Sequence, residues 1–223
     1  MSIKLTIWYE FVHERRDEPV KTLYPDGIHK AIGRYLAKNP DIEITCATLD
    51  QPEHGLPNEV LDNTDVLIWW GHCRQKEVCD EVAQRVYERV QNGMGFIALH
   101  SARASKVFMK LMGTTCDLKV KNIGDTQKIW TVNPSHPVAA GLPETFDIEK
   151  EDMFGEYFDI PQPDALVFIG WFKTGEAFRS GCCFHSGAGK IFYFQPGHQE
   201  SPTFHNENVL KVIENAVKWC APA

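Results

Sequence analysis

The segment Asp65–His100 has the sequence DVLIWWGHCRQKEVCDEVAQRVYERVQNGMGFIALH and carries the clearest structural pattern in the chain. Its two ends, Val66–Trp70 and Gly95–Leu99, are short uninterrupted apolar runs, which are typical of strands buried on both faces of a sheet. Between them a valine recurs every four residues from Val78 to Val90 among charged residues, which predicts an amphipathic helix. A strand, a helix and a strand joined by short links predict a βαβ unit of a parallel sheet.

The flanking sequence extends this pattern in both directions. Further strands are predicted at Leu5–Tyr9 and Ile42–Ala47, and helices around Ala31–Leu36 and Val107–Met112. In the second half, glycine-bearing turns separate apolar runs, so antiparallel strands and a closing helix are expected there: Ala165–Trp171, Ala177–Phe184, Lys190–Phe194 and the helix His205–Trp219.

A hairpin is also predicted, with strands Leu118–Val120 and Ile129–Val132 and a turn at Asn122-Ile123-Gly124-Asp125. The sequence therefore predicts one α/β domain over residues 1–223. Its central sheet is expected to be mainly parallel, with a β-rich antiparallel insertion or extension in the second half.

Composition and charge exclude several classes of protein. Acidic residues outnumber basic ones by 30 to 23, the net charge is −7, and there is no basic stripe, so nucleic acid is not an expected partner. No apolar run approaches the roughly 18 residues of a membrane helix and the N-terminus lacks a signal-peptide pattern, so we expect a cytoplasmic protein with no membrane partner. The seven cysteines form no Cys-x-x-Cys pair, which disfavours a structural zinc finger.

The segment Ser186–Lys190 contains only part of a phosphate-loop pattern, because Phe184 and Ile191 stand where that loop needs glycine and a hydroxyl residue. We therefore predict a hairpin turn there. No glycine-rich fingerprint follows the first strand either, so no nucleotide cofactor is expected.

Three histidines follow directly, or almost directly, after buried apolar runs: His72, His100 and His198. His13 lies a few residues beyond the first strand. Because the carboxyl ends of parallel strands share one edge, where ligands bind, these four imidazoles are predicted to line one cleft. Neutral imidazoles suit Zn²⁺ or a similar divalent metal, so all four are candidate metal ligands.

Other residues are candidates for proton transfer or nucleophilic attack. His198-Gln199-Glu200 suits a general base oriented by a carboxylate, or equally a metal ligand with its supporting shell. Glu156 lies in an aromatic, apolar stretch, where burial would raise its pKa and suit acid–base work. Ser101 stands at a strand-to-helix turn, so it is either a nucleophile, a substrate contact or the cap of the next helix.

The chain resembles the ThuA-like trehalose-utilisation family at segments spread along its whole length: Asp65–His72, Gly93–Ser101, Leu111–Thr114, Pro134–Pro137, Gly155–Pro161 and Pro196–His198. The resemblance implies a flavodoxin-like three-layer sandwich of the class I glutamine amidotransferase type. It also implies an association with the metabolism of trehalose or related disaccharides.

The chain departs from the family pattern at two positions. Gln75 and Arg103 stand where the family usually has histidines. In amidotransferases the turn after the central strand carries a cysteine nucleophile, whereas here it carries His100-Ser101, so a glutaminase is not expected.

These observations predict an enzyme, a hydrolase or isomerase, that acts on a disaccharide or its keto derivative by metal-assisted or acid–base chemistry. His72, His100 and His198, together with His13, would hold the metal. The catalytic candidates are His198, His100, Glu156 and Glu200, and the candidate sugar contacts are Trp69, Ser101 and Trp171.

Two alternatives stay open. One is a non-catalytic sugar-binding or assembly protein on the same scaffold, which the departures at Gln75 and Arg103 favour. The other is a metal-free hydrolase that uses Ser101 and His198. A homo-oligomer is expected in every case, because the β-rich half offers sheet edges for pairing.

Overall fold

A computed structural model describes residues 2–222, and the side chains of Asn122 and Ile123 lie outside that description. The strands are β1 Ile3–Tyr9, β2 Ile42–Thr48, β3 Val66–Trp70, β4 Gly95–Leu99, β5 Lys119–Thr131, β6 Thr145–Gly155, β7 Ala165–Phe172, β8 Ala177–Ser186 and β9 Gly189–Phe194. The α-helices are α1 Glu18–Leu23, α2 Ile28–Leu36, α3 Asn58–Asp62, α4 Asp80–Gln91, α5 Lys106–Met112 and α6 Glu207–Cys220.

The strands form one sheet in the order β2-β1-β3-β4-β9-β8-β7-β5-β6. The first five strands of that order pair in parallel, which the βαβ pattern predicted for the first four, whereas β9 was expected among the antiparallel strands. Their order matches the flavodoxin type, in which the chain reverses direction across the sheet between β1 and β3. This reversal opens a crevice at the carboxyl ends of those two strands, where ligands bind in open α/β sheets.

Helices cover both faces of the parallel half, because its strands are apolar on both sides. The face that carries Ile68 and Trp70 packs against α2 and α6. The opposite face, which carries Leu67 and Trp69, packs against α4 and α5. The regularly spaced valines of α4 are buried there, which confirms the predicted amphipathic helix.

The second half of the sheet is antiparallel, as predicted, and β9 joins it to the parallel half by pairing with β4 on one side and β8 on the other. The β8–β9 hairpin turns at Gly187-Ala188, which confirms the turn predicted in place of a phosphate loop. Gly187 has φ +59°, a left-handed conformation suited to such a turn.

The hairpin predicted between Leu118–Val120 and Ile129–Val132 is wrong. β5 is a single strand that pairs with β6, a strand that the sequence did not reveal, and with β7. The register of β5 against β6 shifts between Lys121 and Asp125. The turn-like residues therefore accompany a bulge, which bends a strand without reversing it.

Within residues 2–222, no helix is both long enough and apolar enough to cross a membrane.

Candidate active site

Four histidines meet at the carboxyl edge of the parallel strands. His13 lies in a 3-10 turn beyond β1, His72 follows β3, His100 follows β4, and His198 lies beyond β9. The ring centroids are 5.4 Å apart for His13 and His72, 6.1 Å for His72 and His100, 5.9 Å for His100 and His198, and 6.4 Å for His72 and His198. The structure thus brings together the imidazoles that the sequence singled out, whereas their roles as ligands or catalysts stay predictions.

His100 is fully buried and sits in a left-handed backbone conformation, with φ +51°. Its Nδ1 lies 2.9 Å from the carbonyl oxygen of Gln195, so Nδ1 donates there and the neutral ring keeps its lone pair on Nε2. Nε2 is buried without a hydrogen-bond partner among the described residues. Burial, followed by the neighbouring His198 and His72, holds the pKa of His100 well below its usual value.

His72 is oriented in the same way by an amide. Its Nδ1 lies 2.9 Å from Oε1 of Gln199, which again leaves the lone pair on Nε2. Burial is the largest cause that lowers the pKa of His72, and the nearby His13 adds to it. The ring is therefore neutral at pH 7.

His198 pairs with a carboxylate that the sequence analysis did not identify. Its Nε2 lies 3.4 Å from Oδ2 of Asp152, while the backbone N–H of Glu200 approaches its Nδ1 at 3.4 Å. Burial, and then His72, lower the pKa of His198 to about 4. Burial, and then the charge of Glu200, raise the pKa of Asp152 to about 6. Asp152, rather than Glu200, is the carboxylate that faces this imidazole.

A second buried carboxyl group, Glu151, holds the turn that carries His198. Its Oε1 accepts a hydrogen bond from the backbone N–H of Gly197 at 3.1 Å, and its Oε2 accepts one from the N–H of His198 at 3.2 Å. The hydroxyl of Thr203 also donates to it. Burial raises the pKa of Glu151 to about 8, although these hydrogen bonds act against the rise. Trp70 completes the turn by donating Nε1–H to the Gly197 carbonyl at 2.9 Å.

A third carboxylate, Glu10, follows β1 directly and is fully buried. It accepts hydrogen bonds from the backbone N–H groups of Cys73 at 3.0 Å and Arg74 at 2.9 Å. Burial raises its pKa, but these bonds and the contact with His13 outweigh burial and lower the pKa to about 2. The sequence did contain a signal for Glu10, since it follows β1 directly, as His100 follows β4.

Two of the predicted site residues do not fit the roles predicted for them. The side chain of Trp69 is buried on the opposite face of the sheet and stacks on Trp8 at 3.9 Å, so it cannot contact a ligand in the cleft. Glu156 forms an ion pair with Arg179 at 2.9 Å. Burial acts to raise its pKa, but the hydrogen bonds with Arg179 and Phe158 outweigh it, so the pKa is lowered rather than raised.

The two departures from the family pattern both make structural contacts. Gln75 is buried and donates Nε2–H to the carbonyl oxygen of Ser101 at 2.8 Å. Arg103 donates to the carbonyl oxygen of Cys116 at 2.8 Å. Ser105, not Ser101, caps α5 by accepting a hydrogen bond from the Phe108 N–H.

A cavity of about 200 Å³ opens beside His198, lined by Gly124, Lys150, Asp152, His198, Gln199 and Glu200. A larger depression of about 690 Å³ lies along α6, but its lysines are already engaged. Lys190 donates to the Trp219 carbonyl, and Lys211 and Lys218 pair with Glu214. The depression is larger, but the cleft holds polar side-chain atoms that lack hydrogen-bond partners among the described residues. We therefore place the candidate site in the cleft.

The family model of ThuA, described as trehalose utilisation, matches residues 4–220. The chain belongs to the ThuA family. It is a trehalose-utilisation-type protein in that sense. No curated protein matches this ThuA-family chain.

Solved structures share the fold of this ThuA-family protein. A ThuA-like protein from Parabacteroides merdae has a TM-score of 0.69 at 14% identity, covering 99% of this chain and 90% of that one. A protein from Salmonella typhimurium described as cytoplasmic has 0.64 at 14%, covering 99% and 100%. A glutamine amidotransferase from Thermotoga maritima has 0.59 at 13%, covering 99% and 98%. At these identities the likeness establishes the amidotransferase-like, flavodoxin-type fold alone.

The buried imidazoles of this ThuA-family protein link its stability to pH. With a pKa of about 4, His198 binds fewer protons in the folded state than in the unfolded state, where the value is near 6.5. The contribution of the neutral His198 ring to the free energy of unfolding is complete above pH 6.5 and is lost as the pH falls toward 4. The lowered pKa values of His72 and His100 act in the same direction, whereas the raised values of Glu151 and Asp152 act against it.

The variant His198→Gln isolates one of these contributions. Between pH 6.5 and 4, we expect the free energy of unfolding of the wild type to fall relative to that of the variant, by up to about 1 kcal/mol per pH unit. Urea unfolding at half-unit pH steps, followed by circular dichroism, measures both curves. Parallel curves would show that His198 keeps its ordinary pKa in the folded protein.

Proposed function

We propose that this ThuA-family protein is an enzyme that acts on a disaccharide, or on its keto derivative, by acid–base chemistry in the four-histidine cleft. The observation that carries the proposal is the meeting of imidazoles from the ends of four different strands, at the reversal point of the sheet. Side chains so far apart in sequence share one place in the fold, where open α/β sheets bind their ligands.

His198 is the general base in this proposal, because part of its side chain reaches solvent and a carboxylate lies behind it. Its side chain is 12% exposed. At pH 7 the imidazole is neutral and Asp152 carries a negative charge, since their pKa values are about 4 and 6. Because Asp152 faces Nε2, a substrate hydroxyl would replace the long 3.4 Å contact of the Glu200 N–H and give its proton to Nδ1, and the carboxylate would stabilise the imidazolium that forms.

The cavity beside His198 supports a polar, hydroxyl-bearing substrate. Its lining offers the ammonium group of Lys150, the amide of Gln199 and two carboxylates. Its volume of about 200 Å³ is below the roughly 300 Å³ at which ligand pockets usually begin. It would hold one ring of a disaccharide, with the second ring toward solvent beside Glu200. Trp171, half-exposed on β7, stays a candidate sugar contact outside this lining.

Sugar binding without turnover is the second candidate function. Gln75 and Arg103, which replace the histidines of the family pattern, are committed to holding backbone carbonyl groups of Ser101 and Cys116. Side chains so engaged do not supply the proton transfer that histidines would. Such a protein would bind the same ligands and release them unchanged.

A panel of disaccharides and their keto derivatives tests the proposal, with turnover followed by product analysis and binding by calorimetry. We expect one of these sugars to be converted, and His198→Ala and His100→Ala each to lower turnover about 100-fold or more. His185→Ala, which changes a histidine outside the cleft, serves as the control and should match the wild type. Binding without conversion over hours would favour the second candidate, and unchanged turnover in both cleft variants would refute the catalytic role.

We further propose that the protein is cytoplasmic and forms a homo-oligomer. Structural neighbours from Salmonella typhimurium are described as cytoplasmic proteins. The outer strands β2 and β6 each have one neighbour in the sheet, so each leaves an edge that a second copy could pair with. Light scattering of the purified protein measures the oligomeric state directly.

A further inference from the structure

We infer that Glu10, His13 and Cys73 form a binding site for a divalent transition-metal ion such as Zn²⁺, at the edge of the four-histidine cleft. The ligand atoms of these three residues all lie within 4.8 Å of one another. Within residues 2–222 no other group of three His, Cys, Asp or Glu side chains is that close. The predicted set of His13, His72, His100 and His198 is thus not the tightest ligand set in the cleft.

Two of the three spacings between the ligand atoms fit a tetrahedral metal site. Sγ of Cys73 lies 3.3 Å from Oε1 of Glu10, and Nε2 of His13 lies 3.4 Å from the same oxygen. Typical zinc bonds of about 2.0–2.3 Å at tetrahedral angles place neighbouring ligand atoms about 3.3–3.8 Å apart. The two pairs that include Glu10 are therefore already close to the spacing that a bound ion would require, and the ligand atoms of His13 and Cys73 lie within 4.8 Å of each other.

Among the three side chains, a proton stands where a metal ion could bind instead. The thiol of Cys73 donates its hydrogen to Glu10, so a proton occupies the line between sulfur and oxygen. Binding of M²⁺ would form the sulfur–metal bond and release that proton to solvent. Nε2 of His13 is buried 3.4 Å from the same carboxylate oxygen and makes no well-formed hydrogen bond among the described residues, so the tautomer with its proton on Nδ1 would present the Nε2 lone pair to the ion.

The carboxylate is also held in place before any ion arrives. Glu10 is fully buried, and the backbone N–H groups of Cys73 and Arg74 each bind one of its oxygens. Such supporting bonds orient a metal ligand and raise affinity. One sulfur, one nitrogen and one oxygen ligand suit Zn²⁺ better than Mg²⁺ or Ca²⁺, which prefer oxygen alone.

Three protein ligands leave a fourth position for water or a substrate oxygen, which is the arrangement of catalytic rather than structural zinc sites. The imidazole of His72 is a neighbour of this ligand set, with its ring 5.4 Å from that of His13. The inference does not depend on the proposed function, because the metal can be detected without any substrate.

Cobalt substitution tests the inference on the full chain. The chelator-treated protein is titrated with Co²⁺ and, in parallel, with Zn²⁺ while proton release is recorded. We expect one equivalent of Co²⁺ to bind with a thiolate-to-cobalt absorption band, and each bound ion to release about one proton. Cys73→Ser should abolish the band, and His13→Ala should weaken binding at least about tenfold.

Two controls make the result specific. Cys79→Ser removes a partly buried cysteine outside this ligand set and should leave the band and the affinity unchanged. His198→Ala should also leave metal binding intact while lowering turnover, which separates this site from the proposed catalytic function. The inference is overturned if the wild type binds no metal, if it binds without the band, or if His198→Ala abolishes binding that Cys73→Ser preserves.

Discussion

Gly197→Ala is expected to lower the free energy of unfolding by about 3–5 kcal/mol. Gly197 has φ +148°, a conformation that other residues rarely adopt. A Cβ atom there would lie 3.0 Å from Cβ of His100 and 3.1 Å from Cζ of Phe204. Both neighbours are buried in a closely packed core, so neither can move aside without displacing others.

Gly175→Ala is the matched control, because it imposes a comparable backbone strain without crowding. Gly175 has φ +93°, and a Cβ atom there would meet nothing within 4 Å. We expect it to cost about 1 kcal/mol. Urea unfolding of the two variants and the wild type measures the difference. If both substitutions cost the same, the close approach of Gly197 to His100 contributes nothing to stability.

The parallel half of the fold could be predicted from the sequence because its signals are local. The apolar runs of β3 and β4 and the spaced valines of α4 each occupy a single continuous stretch. Three of the cleft histidines directly follow, or lie close to, the ends of such strands, so the shared edge of a parallel sheet also predicts their meeting. No distant contact had to be known in advance.

The pairing of β5 with β6 could not be predicted in the same way, because it joins distant segments. The middle of β6 contains the polar run Glu149-Lys150-Glu151-Asp152, which resembles an exposed loop. Glu151 and Asp152 are nevertheless buried, because they contact the turn and the ring of His198. Polar residues that are buried to support a site contradict the hydrophobic pattern from which strands are predicted.

The two adjacent tryptophans illustrate a finer limit. Alternation along β3 places Trp69 and Trp70 on opposite faces of the sheet, but it does not show which face borders the cleft. In the structure Trp70 lies near His13 and His72, and its indole binds the Gly197 carbonyl. The choice depends on which helices cover each face, and that is a property of the whole fold.

Glu151→Ala is expected to destabilise the protein by about 3–5 kcal/mol, whereas Glu151→Gln is expected to be tolerated. The alanine variant leaves the N–H groups of Gly197 and His198 and the hydroxyl of Thr203 without their acceptor, in a place that water does not reach. It also leaves a cavity where the buried side chain was. The glutamine variant keeps an acceptor oxygen and nearly the same volume.

The difference in the free energy of unfolding between the wild type and Glu151→Gln should change with pH in a direction that the pKa of Glu151 determines. The pKa of Glu151 is raised to about 8 in the folded protein, from an ordinary value near 4.5, so the folded state binds more protons than the unfolded state between these values. The neutral carboxyl of Glu151 therefore makes its full contribution to the free energy of unfolding below pH 4.5. This contribution is lost as the pH rises toward 8. The glutamine side chain is neutral throughout and has no such loss.

Urea unfolding at pH 5 and pH 8 measures both effects. At pH 5 we expect the glutamine variant to be close to the wild type and the alanine variant to be far less stable. At pH 8 the glutamine variant should be more stable relative to the wild type than at pH 5, because the wild type then carries a buried negative charge that destabilises it. A constant difference between these two proteins at both pH values would show that Glu151 is ionised throughout, and that it holds the His198 turn as a carboxylate rather than as a neutral acid.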